Sequence, residues 1–106
     1  MKSQNNLFEN IPDNLDEEVF EQIVSSEQIS IERIISKGHH SPTSDWYDQD
    51  KNEWVMVLAG KAILSFDDGS DIMLNKGDYI NIPAHKRHRV KWTEPMIETI
   101  WLAIFY

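Results

Sequence analysis

The stretch that decides the fold is Gly77-Asp78-Tyr79-Ile80-Asn81-Ile82-Pro83-Ala84-His85-Lys86-Arg87-His88. Asn75-Lys76-Gly77-Asp78 is a turn signal, with glycine free to take the positive φ that tight turns require. Tyr79–Ile82 then reads as a short strand, stopped by Pro83, which has no N–H to give to a ladder. Beyond the histidines, Arg89–Trp92 resumes strand character. On that strand Arg89 and Lys91 share one face, and His88, Val90 and Trp92 share the other. The charges therefore turn to solvent and His88 turns inward.

The same punctuation recurs on either side. Ile29–Ser36 is rich in Ile, and Lys37–Asn52 is a long polar loop. Glu53–Leu58 is an apolar strand ending at Gly60. Lys61–Phe66 and Asp71–Leu74 flank Asp67-Asp68-Gly69-Ser70, a hairpin signal. Glu98–Tyr106 is apolar on both faces, with Thr99, Trp101, Ala103 and Phe105 opposite Ile100, Leu102, Ile104 and Tyr106, so both faces should be covered. About seven short strands at tight turn spacing predict an all-β barrel or sandwich. The sequence shows no internal repeat and no low-complexity segment.

The N-terminal region reads differently. Residues 1–32 hold 8 acids and one base, whereas residues 33–106 hold 10 acids and 9 bases, so most of the net charge of −8 sits in the first third. Residues 1–12 are polar. From Asp13 to Ser26 a short helix is expected: Asp13 can cap it, Asp16, Glu17 and Glu18 suit its positive end, and Leu15, Val19 and Ile23 form a stripe with Phe20 and Val24 beside it. This divides the chain into an acidic arm with a short helix, 1–28, and a β domain, 29–106.

Composition excludes several classes of function. An acidic chain lacks the basic footprint for general nucleic-acid binding and for anionic membrane surfaces. Absence of cysteine removes disulfides, thiolate metal sites and thiol nucleophiles. The longest apolar run, Trp54–Ala59, is too short to span a bilayer. Met1–Asn10 has neither a charged n-region nor an apolar h-region, which fits a cytoplasmic protein. The sequence holds no nucleophile elbow, phosphate loop or helical His-Glu-x-x-His.

The remaining chemistry lies in two clusters: His39-His40 in the long loop, and His85 with His88 after Pro83. Two loops can converge at one barrel mouth, and imidazole is the commonest metal-ligand side chain. Glu53 opens an apolar strand, so its carboxylate is either solvated at the strand end or turned inward against a cation. Trp46 and Tyr47, with Trp54, Tyr79 and Trp92, either pack and close the mouth or stack on a ligand. Arg87 is a further candidate for anion binding.

Glu53-Trp-Val-Met-Val-Leu-Ala-Gly60 resembles the end of the first cupin motif, and Gly77 to His88 resembles the second, with His85 where the motif has its second Gly. Gly38-His39-His40-Ser41-Pro42, Trp46-Tyr47-Asp48-Gln49 and His88-Arg89-Val90-Lys91-Trp92-Thr93 are similar to a subgroup of small bacterial cupins. The resemblance covers roughly residues 29–106. It implies an all-β cupin-type small β-barrel of jelly-roll type, and a divalent metal held by His and Glu. Glu53 and His88 match the motif ligands. The motif's His-x-His pair has no counterpart, because its positions fall on Trp46 and Asp48 or on Tyr47 and Gln49. The metal set implied is His39, Glu53, His85 and His88, with His40 the alternative loop histidine and Asp48 or Gln49 the alternative oxygen donors. Nitrogen and oxygen ligands suit Zn, Fe, Mn or Ni. Trp46, Tyr47, Asp48 and Gln49 would bind a small-molecule ligand or orient it. Small cupins commonly pair, so a homodimer is expected, with open sheet edges covered. A small-ligand binder or regulatory protein without metal is the alternative.

Overall fold

The computed structural model describes residues 4–106. Eight strands follow in order: β1 (Val19–Ser25), β2 (Ser30–Ser36), β3 (Glu53–Ala59), β4 (Ala62–Phe66), β5 (Asp71–Leu74), β6 (Tyr79–Ile82), β7 (His88–Thr93) and β8 (Thr99–Phe105). They form two antiparallel sheets, one ordered β1-β2-β8-β3-β6 and the other β5-β4-β7. Ile34, Val55, Val57, Ile82, Trp101 and Ala103 from the larger sheet share one apolar cluster with Ala62, Leu64, Phe66 and Leu74 from the smaller. The sheets thus pack on each other through alternate inward residues, as a jelly roll does.

The N-terminal helix expected over 13–26 does not form; Val19–Ser25 is a strand, and the described residues contain no helix. The stripe Val19, Phe20, Ile23 and Val24 is β-branched or aromatic, which suits a pleated surface as well as a helix. An isolated helix of this length is marginal, whereas the strand covers the edge of β2 that would otherwise be open. Val19 pairs with Ile35 and Phe20 with Ile34, and the register shifts between Gln22 and Val24. Residues from within 1–28 are thereby part of the five-stranded sheet.

Arg33 fixes the segment ahead of β1. It lies on the outer face of β2, is 7% exposed, and donates to the carbonyls of Leu7 (3.1 Å), Glu9 (2.7 Å) and Asn10 (3.1 Å). Its Nη2 also lies 2.6 Å from Glu21 Oε1. A planar guanidinium with its donors satisfied this way tolerates burial that a lone charge does not.

The loop between β2 and β3 runs beside β7. Ser41 N–H donates to Val90 O (2.8 Å), and Tyr47 and His88 exchange backbone bonds of 2.8 and 3.2 Å. Thr93 Oγ1 donates to His39 O at 2.6 Å, and Ala84 N–H to Asn52 Oδ1 at 2.9 Å. The loop therefore acts as an extra edge to the smaller sheet and brings Tyr47 and Gln49 to the end of the fold where β3 begins.

Candidate functional site

A cavity of about 140 Å³ opens between the sheets, with Glu53 and His88 in its wall. Glu53 is the first residue of β3 and lies between Ile82 of β6 and Phe105 of β8. Its position at the end of a central strand turns its carboxylate inward, so the solvated alternative does not hold: the residue is 8% exposed. His88 opens β7, and its Nε2 sits 3.2 Å from Glu53 Oε1. The other ring nitrogen, Nδ1, is 2.9 Å from the carbonyl of Lys86.

This geometry fixes a proton count. A carbonyl can only accept, so Nδ1 carries a hydrogen. The contact with Glu53 then needs a second proton between Nε2 and Oε1. Burial pushes the His88 imidazolium toward losing its proton, but the Glu53 hydrogen bond, the Lys86 carbonyl and the Glu53 charge outweigh burial and hold its pKa above the ordinary value. Below its raised pKa, His88 forms with Glu53 an imidazolium–carboxylate pair inside the fold.

The remaining cavity wall includes Glu18, Phe20, Glu32, Ile34, Tyr47, Gln49, Trp101 and Phe105. Tyr47 packs its ring 5.6 Å from that of His88. Glu18 accepts a hydrogen bond from Ser36 Oγ, which itself accepts from Trp101 Nε1 at 3.1 Å. Burial, and then the charge of Glu53, push the Glu32 carboxyl above its ordinary pKa. Sequence reasoning missed Glu18 and Glu32. The signal for Glu32 was alternation: it shares a strand face with the core residue Ile34. Glu18 gave none, because the segment containing it was assigned to a helix.

Of the other expected site residues, Gln49 and Tyr47 reach the cavity. Asp48 does not; it is exposed and receives His85 Nδ1 at 2.8 Å, with Arg87 Nε at 3.5 Å. The His85 hydrogen bond, then the charges of His85 and Arg87, hold the Asp48 carboxyl below its ordinary range. His85 itself has φ 65°, so the backbone keeps the left-handed conformation for which the motif uses Gly. Trp46 carries the Arg89 guanidinium over its ring at 4.8 Å. His39 Nδ1 accepts from Lys37 N–H (2.9 Å) while Nε2 faces the carbonyl of Asp16 (3.1 Å). His40 is exposed, with Nδ1 3.1 Å from Ser41 O.

The fold and this inward pair define a two-sheet jelly roll with an interior polar site. The chain belongs to the cupin domain family, whose model matches residues 32–105. A crystal structure from Ralstonia eutropha JMP134, described as a candidate mannose-6-phosphate isomerase, is 38% identical, with 98% of this chain and 97% of that one covered and a TM-score of 0.92. A cupin superfamily protein from Desulfitobacterium hafniense DCB-2 is 20% identical over 90% and 82% of the two chains, with a TM-score of 0.74. An RmlC-like cupin from Desulfovibrio desulfuricans is 21% identical over 99% and 96%, also at 0.74. The last two show the fold alone. No curated protein matches the chain.

The cupin fold is compatible with a bound metal, but the expected ligand set does not assemble. Among the described residues no three His, Asp or Glu side chains converge as a metal-ion site. Both ring nitrogens of His39 are engaged and His85 is tied to Asp48 on the surface, so neither joins Glu53 and His88 at the cavity. The residues present do not fit a His-rich metal centre in this arrangement.

Proposed function

We propose that this protein binds a small molecule in the cavity over Glu53 and His88, without a resident divalent metal. The observation that carries the reading is a buried ion pair whose carboxylate opens onto an apolar cavity, rather than onto a ligand cage. Such a pair can hold a polar group of a ligand and exchange one proton with it. The cavity has the size of one that admits a benzene-sized molecule, about 150 Å³.

The name carried by the Ralstonia structure suggests a sugar phosphate, but the cavity does not favour one. Among the described residues its lining includes Glu18, Glu32 and Glu53 and no Lys or Arg. A phosphate there would meet three carboxylates, with the single His88 ring, already paired with Glu53, as the one cationic group among the described lining residues.

Two measurements test the reading. Elemental analysis of untagged protein should find no stoichiometric metal, and added Zn²⁺, Mn²⁺ or Fe²⁺ should leave Tm unchanged. One divalent metal per chain, lost on His88→Ala, would overturn it in favour of a metal-dependent cupin. A mixture of small neutral, cationic and anionic fragments should shift the NMR signals of the Trp101 indole and the His88 ring. No shift with any of them would also overturn it.

We also infer a homodimer. Strand β1 is an edge strand, and Ile23, Val24 and Ile29 at its end are 48%, 54% and 42% exposed. A second copy pairing along that edge would cover both the free ladder groups and these side chains. Light scattering should give twice the chain mass, and a monomer at every concentration would refute it.

A further inference from the structure

The cavity has a charge as well as a shape, and the charge selects a ligand class. Glu18, Glu32 and Glu53 line it, against the single imidazolium of His88. Glu53 gives only one of its oxygens to His88. The other has no hydrogen-bond partner among the described residues, although the residue is 8% exposed. The Glu32 carboxylate makes no hydrogen bond or ion pair among the described residues. Neither carboxylate carries a fully buried unpaired oxygen, since among the described residues Arg89 Nε is the one such atom, so these acceptors lie open to solvent in the cavity without a protein donor. A ligand that brings positive charge and N–H or polarised C–H donors satisfies them.

Apart from Gln49, the rest of the wall is part aliphatic and part aromatic. Phe20, Tyr47 and Trp101 line the same space. Aromatic faces attract organic cations, most strongly where water is excluded. An inorganic cation would want several oxygens at fixed distance, and no such cluster forms among the described residues. A small organic ammonium ion instead spreads its charge over a surface that can lie against rings while the carboxylates neutralise it.

We propose that the ligand of this site is a small organic cation, a substituted ammonium of a few carbon atoms, held between Glu32 and Glu53 and the aromatic wall. This rests on the reading of the cavity as the binding site and narrows it to one charge class. Glu18 is part of the arrangement and comes from the acidic N-terminal region, which thereby contributes to the binding site.

The test compares four probes at equal ionic strength: tetramethylammonium, the neutral near-isostere tert-butanol, inorganic phosphate and mannose 6-phosphate. Trp101 indole and His88 ring resonances are followed in the full chain. Tetramethylammonium should shift them saturably, tert-butanol should bind at least about fivefold more weakly, and neither phosphate compound should bind. Glu32→Gln should weaken tetramethylammonium at least about fivefold and leave tert-butanol unchanged. Glu18→Gln provides a second variant of the same sign. Equal or tighter binding of tert-butanol or of a phosphate at these resonances overturns the charge selection and leaves the cavity standing as a site. Silence of all four probes together with the whole fragment mixture overturns the binding reading itself, and this inference with it.

Discussion

Replacing Glu53 by Gln and His88 by Ala should have very different consequences, although both break the same 3.2 Å contact. At that distance, with an effective dielectric near 20, the attraction is about 5 kcal/mol. Desolvating two ions opposes this by several kcal/mol each, so the pair contributes little net stability. Gln keeps the shape, and its amide can donate to Nε2 of a neutral His88 whose Nδ1–H still serves the Lys86 carbonyl. Glu53→Gln should therefore cost only about 1 kcal/mol. His88→Ala leaves the Glu53 carboxylate buried without its partner and empties ring volume beside Phe66 and Tyr47, and should cost about 3–5 kcal/mol. The pH dependence separates them further. A histidine whose folded pKa is raised adds stability below its unfolded value, near 6.5, and loses it as pH rises through the folded value. Glu53→Gln removes both contributions of Glu53 and leaves burial, the largest cause, opposed by the Lys86 carbonyl alone, so His88 should then titrate below its ordinary value. Urea unfolding between pH 5 and 9, with NMR titration of the His88 ring, measures both effects. The reasoning fails if Glu53→Gln destabilises as much as His88→Ala, or if His88 in the natural chain titrates below its ordinary value.

Four further outcomes follow from other parts of the molecule. Gly60→Ala should destabilise by roughly 2–4 kcal/mol in urea, because Gly60 has φ +86° and an added Cβ would lie 2.4 Å from Thr99 Oγ1 and 2.6 Å from its Cα; a loss under about 1 kcal/mol would contradict it. Arg33→Met should release residues 7–10 to limited proteolysis while the β2–β8 amides stay protected from exchange, and unchanged cleavage would show that the three carbonyl contacts do not anchor this segment. Asp71 accepts from Lys91 (2.6 Å) and Ser65 (2.6 Å), which hold its carboxyl below its ordinary value of 3.8. Its contribution to stability is therefore present above that value and lost as pH falls through the lower folded one, so Asp71→Asn should lower Tm at pH 7 and not at the acid end. Glu32 has the opposite sign: its raised folded pKa penalises the charged form above its unfolded value of 4.5, so Glu32→Gln should raise Tm at pH 7 and leave it unchanged near pH 4.

Seven of the strands were legible because turn chemistry marks their ends. Asp71–Leu74 and Tyr79–Ile82 have the bounds the sequence implied, one flanked by a glycine hairpin and the other stopped by Pro83. Strand β1 was not legible, because its apolar residues at 19, 20, 23 and 24 satisfy a helical stripe. Only the open edge of β2, a tertiary fact, decides for the strand. The pairing of Glu53 with His88 could be read in part: strand alternation put His88 inward, whereas position alone left Glu53 with two readings. His39 and His85 could not be placed from spacing, since each is held by a partner distant in sequence. Asp16 O and Asp48 Oδ1 hold them, at 3.1 and 2.8 Å.

The opposite signs expected for Glu32 connect stability to function. A chain selected for stability alone would not keep a half-buried carboxylate beside another one, with no ion pair or hydrogen-bond donor of its own among the described residues. Sites that bind often carry strain or unsatisfied charge that the rest of the fold must offset, so a substitution that stabilises the free protein weakens its complex. Glu32→Gln should do both: raise Tm without ligand and reduce binding of a cation. A surface carboxylate in an incidental crevice would do neither, and a purely structural one would lower Tm when replaced. The joint outcome is thus more discriminating than either measurement alone. It also bears on the acidic first third of the chain: some of that charge is directed inward, through Glu18 on one side and Glu32 on the other, onto the same cavity as Glu53. The electrostatic asymmetry of the sequence is therefore a property of the site as well as of the surface.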